Sequence, residues 1–328
     1  MINEVNDRIK SDDHMFKRIL QVLGIFLALV IVIPFMGPWL GLADYRSMAP
    51  EPGQRVDLPN GDHVNVYRQG SGKAVVLIHG RPGTGRMMLP LAHALERLGY
   101  STITYDRIGY GHSSRRSSEV PANPTENARD LLQLIKALAL DDPFIVGYSY
   151  GGGVALEAAR MDSNAFSRLT LIASLGDNSE RRAPPTGAAR LLFSVPMMRW
   201  MMGTEFIAMK GGKAGNAALF YPAPADEIFL KQAFAGLSMP GVPETLIRER
   251  MERYQNFDGF QPEATVACTL IIHGVDDKVV PAKGAKVLRD AISGSELQLL
   301  DDTGHAVVIR QPGRLAELIA GHDKACSD

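Results

Sequence analysis

The chain has few of the features that usually announce a function. Two cysteines occur in 328 residues, Cys268 and Cys326. Their spacing matches no metal-binding pattern. One falls in an apolar strand-like run and the other in the tail, so the sequence predicts no disulfide. Neither sign of charge dominates: 35 Lys and Arg face 36 Asp and Glu, a net charge of −1. That balance gives no basic bias toward nucleic acid. The eight histidines form no H-E-x-x-H or comparable cluster, and there is no Walker loop, dinucleotide fingerprint or internal repeat. No cofactor and no metal are expected, and nothing in the sequence sets an oligomeric state. Hydrophobic residues make up 45%, an ordinary share for a chain that buries a core. The length suits one large catalytic domain with an insertion.

Long hydrophobic runs are absent with one exception. From Ile19 to Leu42 there is no charge, and Gln21 is the only strongly polar residue. These 24 residues are enough to cross a hydrocarbon core of about 30 Å. Pro34 and Pro38 would bend the far end, which membrane helices tolerate. Trp39 and Tyr45 stand where an interfacial aromatic belt would lie. Arg8, Lys10, Lys17 and Arg18 precede the run, against Arg46 and Arg55 after it. This bias predicts a cytoplasmic tail (1–18), a transmembrane anchor (19–42), and a periplasmic or otherwise extracytoplasmic domain beyond. The alternative is a secreted chain cleaved near Gly41-Leu42-Ala43, a poor signal-peptidase site.

Residues 43–54, with Pro50, Pro52 and Gly53, read as a linker. Arg55 to Arg68 reads as a hairpin around Asn60-Gly61. Strand and helix patterns then alternate through Ser101–Asp106, Thr125–Leu138 and Leu169–Ala173, the signature of a doubly wound sheet. The alternation pauses at 176–263, where prolines and helical patches (Leu191–Met202, Asp226–Leu237, Glu244–Tyr254) predict a helical cap. Met197, Met198, Met201, Met202, Met209, Met239 and Met251 lie there, half of the chain's 14 methionines. Such a surface adapts to apolar shapes: either core filling of a small lid or a pocket for an apolar acyl group of a small-molecule substrate.

The chemistry concentrates at Gly147-Tyr148-Ser149-Tyr150-Gly151. An apolar strand, Pro143 to Val146, precedes it and a helix-like run from Val154 follows. Strand, G-x-S-x-G and helix together form a nucleophile elbow, a sharp turn with Ser149 at its apex. Small residues on either side let strand and helix approach. The first helical amides point at the charge that develops on an attacked carbonyl. A serine needs a base, and the base an orienting acid, in the order Ser, acid, His. After the strand Thr269–His273 comes Gly274-Val275-Asp276-Asp277. After the strand Glu296–Leu300 comes Thr303-Gly304-His305. Thus Asp276 or Asp277 supplies the acid and His305 the base, with Asp177 after Leu169–Ala173 as a rival acid. A second oxyanion donor must come from another loop; His79-Gly80-Arg81-Pro82-Gly83 offers the Arg81 N–H beside that of Tyr150. Pro82 has no N–H, and His79 reads as a loop-shaping residue.

Together these segments, with Asp106-Arg107-Ile108-Gly109-Tyr110-Gly111-His112-Ser113 and Pro312, resemble the α/β-hydrolase superfamily over about Arg55 to Ala320. The resemblance implies a Ser-His-Asp triad, a mostly parallel eight-stranded sheet flanked by helices, and a cap after the sixth strand. The core is then 55–175 and 264–328. It places the acid three residues after the glycine, at Asp277, which makes the triad Ser149, Asp277 and His305, with Arg81 and Tyr150 as oxyanion donors. A serine at the elbow excludes the haloalkane dehalogenases and epoxide hydrolases of this fold, which use aspartate there. With the anchor read from residues 19–42, the expected activity is that of a membrane-anchored serine hydrolase, esterase- or lipase-like, cleaving a carboxylic ester or thioester through an acyl-enzyme on Ser149. Two alternatives stand beside it. One is a proline-iminopeptidase-like aminopeptidase, since the His79 loop resembles the His-Gly-Gly-Pro-Gly loop of those enzymes. The other is a non-catalytic ligand-binding protein on the same fold.

Overall fold

The computed structural model describes residues 17–25, 28, 51–178, 186–187, 213–252 and 255–327. Eight strands form one sheet in the order β1-β2-β4-β3-β5-β6-β7-β8. They are β1 (Gln54–Asp57), β2 (His63–Gln69), β3 (Ala74–Ile78), β4 (Ser101–Tyr105), β5 (Phe144–Tyr148), β6 (Arg168–Ile172), β7 (Cys268–Gly274) and β8 (Glu296–Leu300). The pairings β1 with β2 and β2 with β4 are antiparallel; all others are parallel. Central strands are short apolar runs because both faces are covered: β5 is buried at every position.

Helices α1 (Leu89–Glu96), α2 (Pro124–Ala137) and α3 (Tyr150–Met161) follow β3, β4 and β5. Three more, α4 (Lys213–Phe220), α5 (Glu227–Leu237) and α6 (Val242–Glu252), lie between β6 and β7. Then come α7 (Lys283–Ala291), α8 (Val307–Arg310) and α9 (Pro312–Ala325). One core packs Ala128, Leu131, Val154, Leu156, Ala285 and Leu288 of α2, α3 and α7 on one sheet face. The other packs Leu91, Leu95, Val307, Leu315 and Ile319 of α1, α8 and α9 on the opposite face. Local chemistry sets the ends. Asn123 caps α2 by accepting from the Glu126 amide, and Pro124 opens that helix, where a missing N–H costs nothing.

The helices between β6 and β7 rest on the C-terminal edge of the sheet. Leu237, Met239 and Val242 enclose Tyr110, while Phe220 and Leu230 pack on Ala306. Five of the seven methionines expected in this insertion, and the helical patch Leu191–Met202, lie outside the described residues.

Two expectations meet the structure differently. Cys268 and Cys326 are joined in a disulfide, with Cα atoms 6.1 Å apart across 58 residues, so the prediction of no disulfide was wrong. The reason is topological. A helix that follows a parallel strand runs back against it, so the end of α9 returns to where β7 begins. Asp323 fixes this end of α9 through Lys73 at 2.5 Å and Tyr100 at 3.0 Å. The expected membrane span, 19–42, lies mostly outside the described residues. Its described part belongs to a helix at 17–25 on which Ile19, Leu20, Val22, Leu23 and Ile25 are exposed. Among the described residues no helix is long and apolar enough to cross a membrane.

Candidate active site

The strand β5 ends in a turn that only a crowded backbone would tolerate. Ser149 has φ 53° and ψ −118°, a region that non-glycine residues occupy at an energetic cost. The turn is held from both sides: the Ser149 amide donates to Ile172 O at 2.9 Å, and Ser149 O accepts from Gly152 N at 3.0 Å. A Cβ on Gly147 would lie 2.5 Å from Gly152 Cα, and one on Gly151 2.4 Å from Ile78 O. Strand and helix can meet this closely only where both positions are glycine.

His305 reaches this serine from the loop after β8. Its Nε2 lies 3.1 Å from Ser149 Oγ, and its Nδ1 lies 2.7 Å from Asp277 Oδ2. Asp277 sits after β7, its side chain fully buried. Burial alone would raise this carboxyl. Hydrogen bonds from His273 and His305, with the Val280 amide, instead hold it well below the usual carboxylate range. Its Oδ1 accepts from the Val279 and Val280 amides, both at 2.8 Å. An ionised Asp277 fixes the proton of His305 on Nδ1, which leaves Nε2 as an acceptor facing the serine hydroxyl. The rival acids lie elsewhere. The Asp276 amide bonds Thr303 O, and Asp177 packs beside Gly284.

On the other side of Ser149 is the loop after β3. A Cβ on Gly80 would stand 3.0 Å from Ser149 Cβ, so this loop lies directly against the elbow and brings Arg81 beside it. His79 is fully buried; its Nδ1 donates to Gly80 O at 2.8 Å and its Nε2 accepts from Arg107 N at 3.0 Å. Burial, and secondarily the Arg107 charge, lower its pKa well below the ordinary value. A neutral imidazole with both ring nitrogens engaged in backbone hydrogen bonds shapes the loop.

Three contacts had no separate signal in the sequence. His273, at the end of β7, lies 3.3 Å from Asp277 Oδ2 while bonding Val280 O at 2.9 Å. Tyr148 donates from its hydroxyl to His305 O at 3.0 Å, and the two rings lie 5.2 Å apart. Its phenol pKa is raised by burial and by Asp277, so it packs and anchors. The third is Glu249 of α6, which accepts from Arg107 Nη1 at 2.7 Å and from the Tyr110 hydroxyl at 2.5 Å. Arg107 and Glu249 are each 1% exposed. Burial would discharge Arg107, but Glu249 more than offsets that and holds it charged. The motif Asp106–Ser113 displayed Arg107; its partner 142 residues away stood in an ordinary helical pattern.

Among the described residues the one group with metal-ligating reach is Cys268, His322 and Cys326, far from Ser149 at the start of β7, and its two sulfurs are bonded to each other. An aminopeptidase needs an acid to hold the substrate's amine, and the sequence offers Glu180, Glu205 and Asp226 in or near the insertion; Asp226 accepts from the Phe229 amide as a helix cap. Glu180 and Glu205, the other two, lie outside the described residues.

Known proteins of this architecture share the chain's sequence pattern. Residues 75–318 match the model of the alpha/beta hydrolase family. The chain is 28% identical over 265 residues to a 2-hydroxy-6-oxo-2,4-heptadienoate hydrolase of Pseudomonas putida, covering 78% of this chain and 91% of that one. It is 27% identical over 293 residues to a proline iminopeptidase of Clostridium botulinum, covering 80% and 95%. An esterase structure from Exiguobacterium antarcticum superposes with a TM-score of 0.66 at 25% identity, over 83% of this chain and 99% of that one. The fold, the match across three quarters of the chain and these hydrolase relatives lead to one conclusion: the chain belongs to the alpha/beta hydrolase family.

Proposed function

We propose that this protein is a serine hydrolase that cleaves a carboxylic ester or thioester through an acyl-enzyme on Ser149. The observation that carries this reading is the continuous path from Asp277 through His305 to Ser149, 2.7 Å and 3.1 Å long, ending on a serine held at φ 53°. Ser149 Oγ attacks the carbonyl while His305 Nε2 takes its proton. Asp277 keeps the imidazole in the required tautomer and stabilises the imidazolium. The oxyanion is received by the backbone N–H groups of Arg81 and Tyr150. His305 then protonates the leaving group, and a water deprotonated by His305 releases the acid. The test is Ser149→Ala against short 4-nitrophenyl esters. Loss of turnover in a folded variant is expected; retained turnover would reject the assignment.

The iminopeptidase relative keeps a second reading in view, hydrolysis of an N-terminal amide. Asp226 is already engaged in capping α5, which argues against it as the amine-binding acid. A screen of aminoacyl-naphthylamides beside acyl esters separates the two readings.

The chain is further proposed to be held at a membrane by residues 19–42, with the hydrolase on the extracytoplasmic side. The uncharged run and its flanking charges support this, as does the Cys268–Cys326 bond, since disulfides persist in oxidising compartments. Protease added to intact cells or spheroplasts should digest the domain and spare the first 18 residues; full protection of the domain would overturn this placement.

A further inference from the structure

Around Ser149 the charged side chains are matched one to another. Asp277 is met by His305, His273 and two amides. Arg107 is met by Glu249, whose other oxygen is taken by Tyr110. Asp106 is satisfied by Asn65 Nδ2 and by the amides of Gly85 and His112. Arg81 is different. It is half-buried, and no carboxylate among the described residues lies within ion-pair distance of it. Its guanidinium stands 5.7 Å from the centre of the Tyr150 ring, whose neighbourhood also holds Arg107 at 4.6 Å. With Arg107 neutralised by Glu249, Arg81 is, among the described residues, a positive charge without a carboxylate partner beside the serine. That charge is carried by the residue proposed above to donate its backbone N–H to the oxyanion.

A guanidinium presents paired N–H donors that fit the two oxygens of a carboxylate. An aromatic face beneath it fixes its plane, and partial burial strengthens the attraction above that of a surface pair. We propose that Arg81 is a specificity-determining residue that receives a carboxylate of the substrate, so that the ester or thioester cleaved is an acidic one. A single guanidinium suits one negative charge better than the double charge of a phosphate monoester. The inference rests on Ser149 being the reacting group, and it adds an anionic end to whatever apolar body the substrate has.

The test uses the full chain in detergent and two matched ester pairs. One pair is 4-nitrophenyl pentanoate and mono-4-nitrophenyl glutarate, which differ by a carboxylate on the acyl side. The other is phenyl acetate and 4-acetoxybenzoate, which differ on the leaving side. Charge-assisted hydrogen bonds predict that the wild type favours the acidic member of at least one pair by about tenfold to a hundredfold in kcat/KM, mostly through KM. Arg81→Gln should bring that ratio to within about twofold of one, with Arg81→Lys between. The ratio is the readout because any shift of the Arg81 amide acts on both members of a pair alike. A wild-type ratio at or below one in both pairs overturns the proposal, as does a preference that survives Arg81→Gln. If neither pair is hydrolysed, it is the ester reading that fails. The carboxylate site is then judged by binding: millimolar glutarate or benzoate should raise the unfolding temperature of the wild type and not of Arg81→Gln, and equal responses overturn it.

Discussion

Asp277 draws hydrogen bonds from two histidines and two backbone amides, and this concentration of donors on one buried carboxylate sets the tautomer of His305. Asp277→Asn should therefore keep the fold and lower kcat by about 10⁴, the loss known when a triad acid becomes an amide. Asp276→Asn and Asp177→Asn should each stay within roughly tenfold of wild type, because neither touches His305. A steady-state comparison of the three decides this, and a large loss at Asp177 alone would move the acid to the end of β6. His79 makes a separate prediction about stability. Its folded pKa is depressed by burial, so below about pH 6.5 the unfolded chain binds a proton that the folded chain does not. Stability then falls as pH drops below that value, by at most about 1.4 kcal/mol per pH unit from this group. Urea midpoints at pH 7.5 and 5.5 should differ less in His79→Gln than in the wild type; an unchanged difference would show that His79 accepts a proton in the folded state. At this scale Ser149 and His305, which the structure brings together with Asp277, could be singled out because they follow strand ends, while the choice of Asp277 over Asp276 and Asp177 came from the family resemblance. His273, Tyr148 and Glu249 could not be singled out, because each acts through a partner that only the fold brings near.

At the scale of elements, α6 is tied to the loop after β4 by a buried ion pair. Arg107 also reaches back to Gly80 O with Nη2 at 3.4 Å, so the pair links α6 to the loop carrying Arg81. Removing one partner leaves an uncompensated buried charge, which destabilises by about 3–5 kcal/mol. Glu249→Leu should show a loss of that order in denaturant unfolding. The double variant Arg107→Met/Glu249→Leu should recover most of it; equal losses in both would mean that packing, and not charge, is what matters there. The C-terminal helix is tied to β7 by the Cys268–Cys326 bond. Replacing both cysteines with serine should reduce stability by about 2–4 kcal/mol, with α9 still docked through Asp323. Strands and core helices could be read from the sequence because short apolar runs bounded by Gly, Pro and Asn have few other uses. The disulfide could not, since nothing in a linear pattern says that the end of α9 returns to the start of β7. The insertion after β6 was legible as an interruption of the alternation, and its described helices α5 and α6 begin and end within two residues of their sequence patterns.

For the whole molecule, the proposed anchor at 19–42, the disulfide and the arrangement around Ser149 join in one proposal: a tethered hydrolase working outside the cytoplasm. Its central claim is covalent, that Ser149 becomes acylated with His305 as the base. The most direct measurement is intact-mass and peptide-mapping mass spectrometry after exposure to a fluorophosphonate, which reacts only with an activated serine. The account predicts a single adduct on the peptide containing Ser149. It should be absent in Ser149→Ala and strongly slowed in His305→Ala, whose unfolding curve should remain cooperative. An adduct on any other residue, or labelling of the Ser149→Ala protein at the wild-type rate, would contradict it.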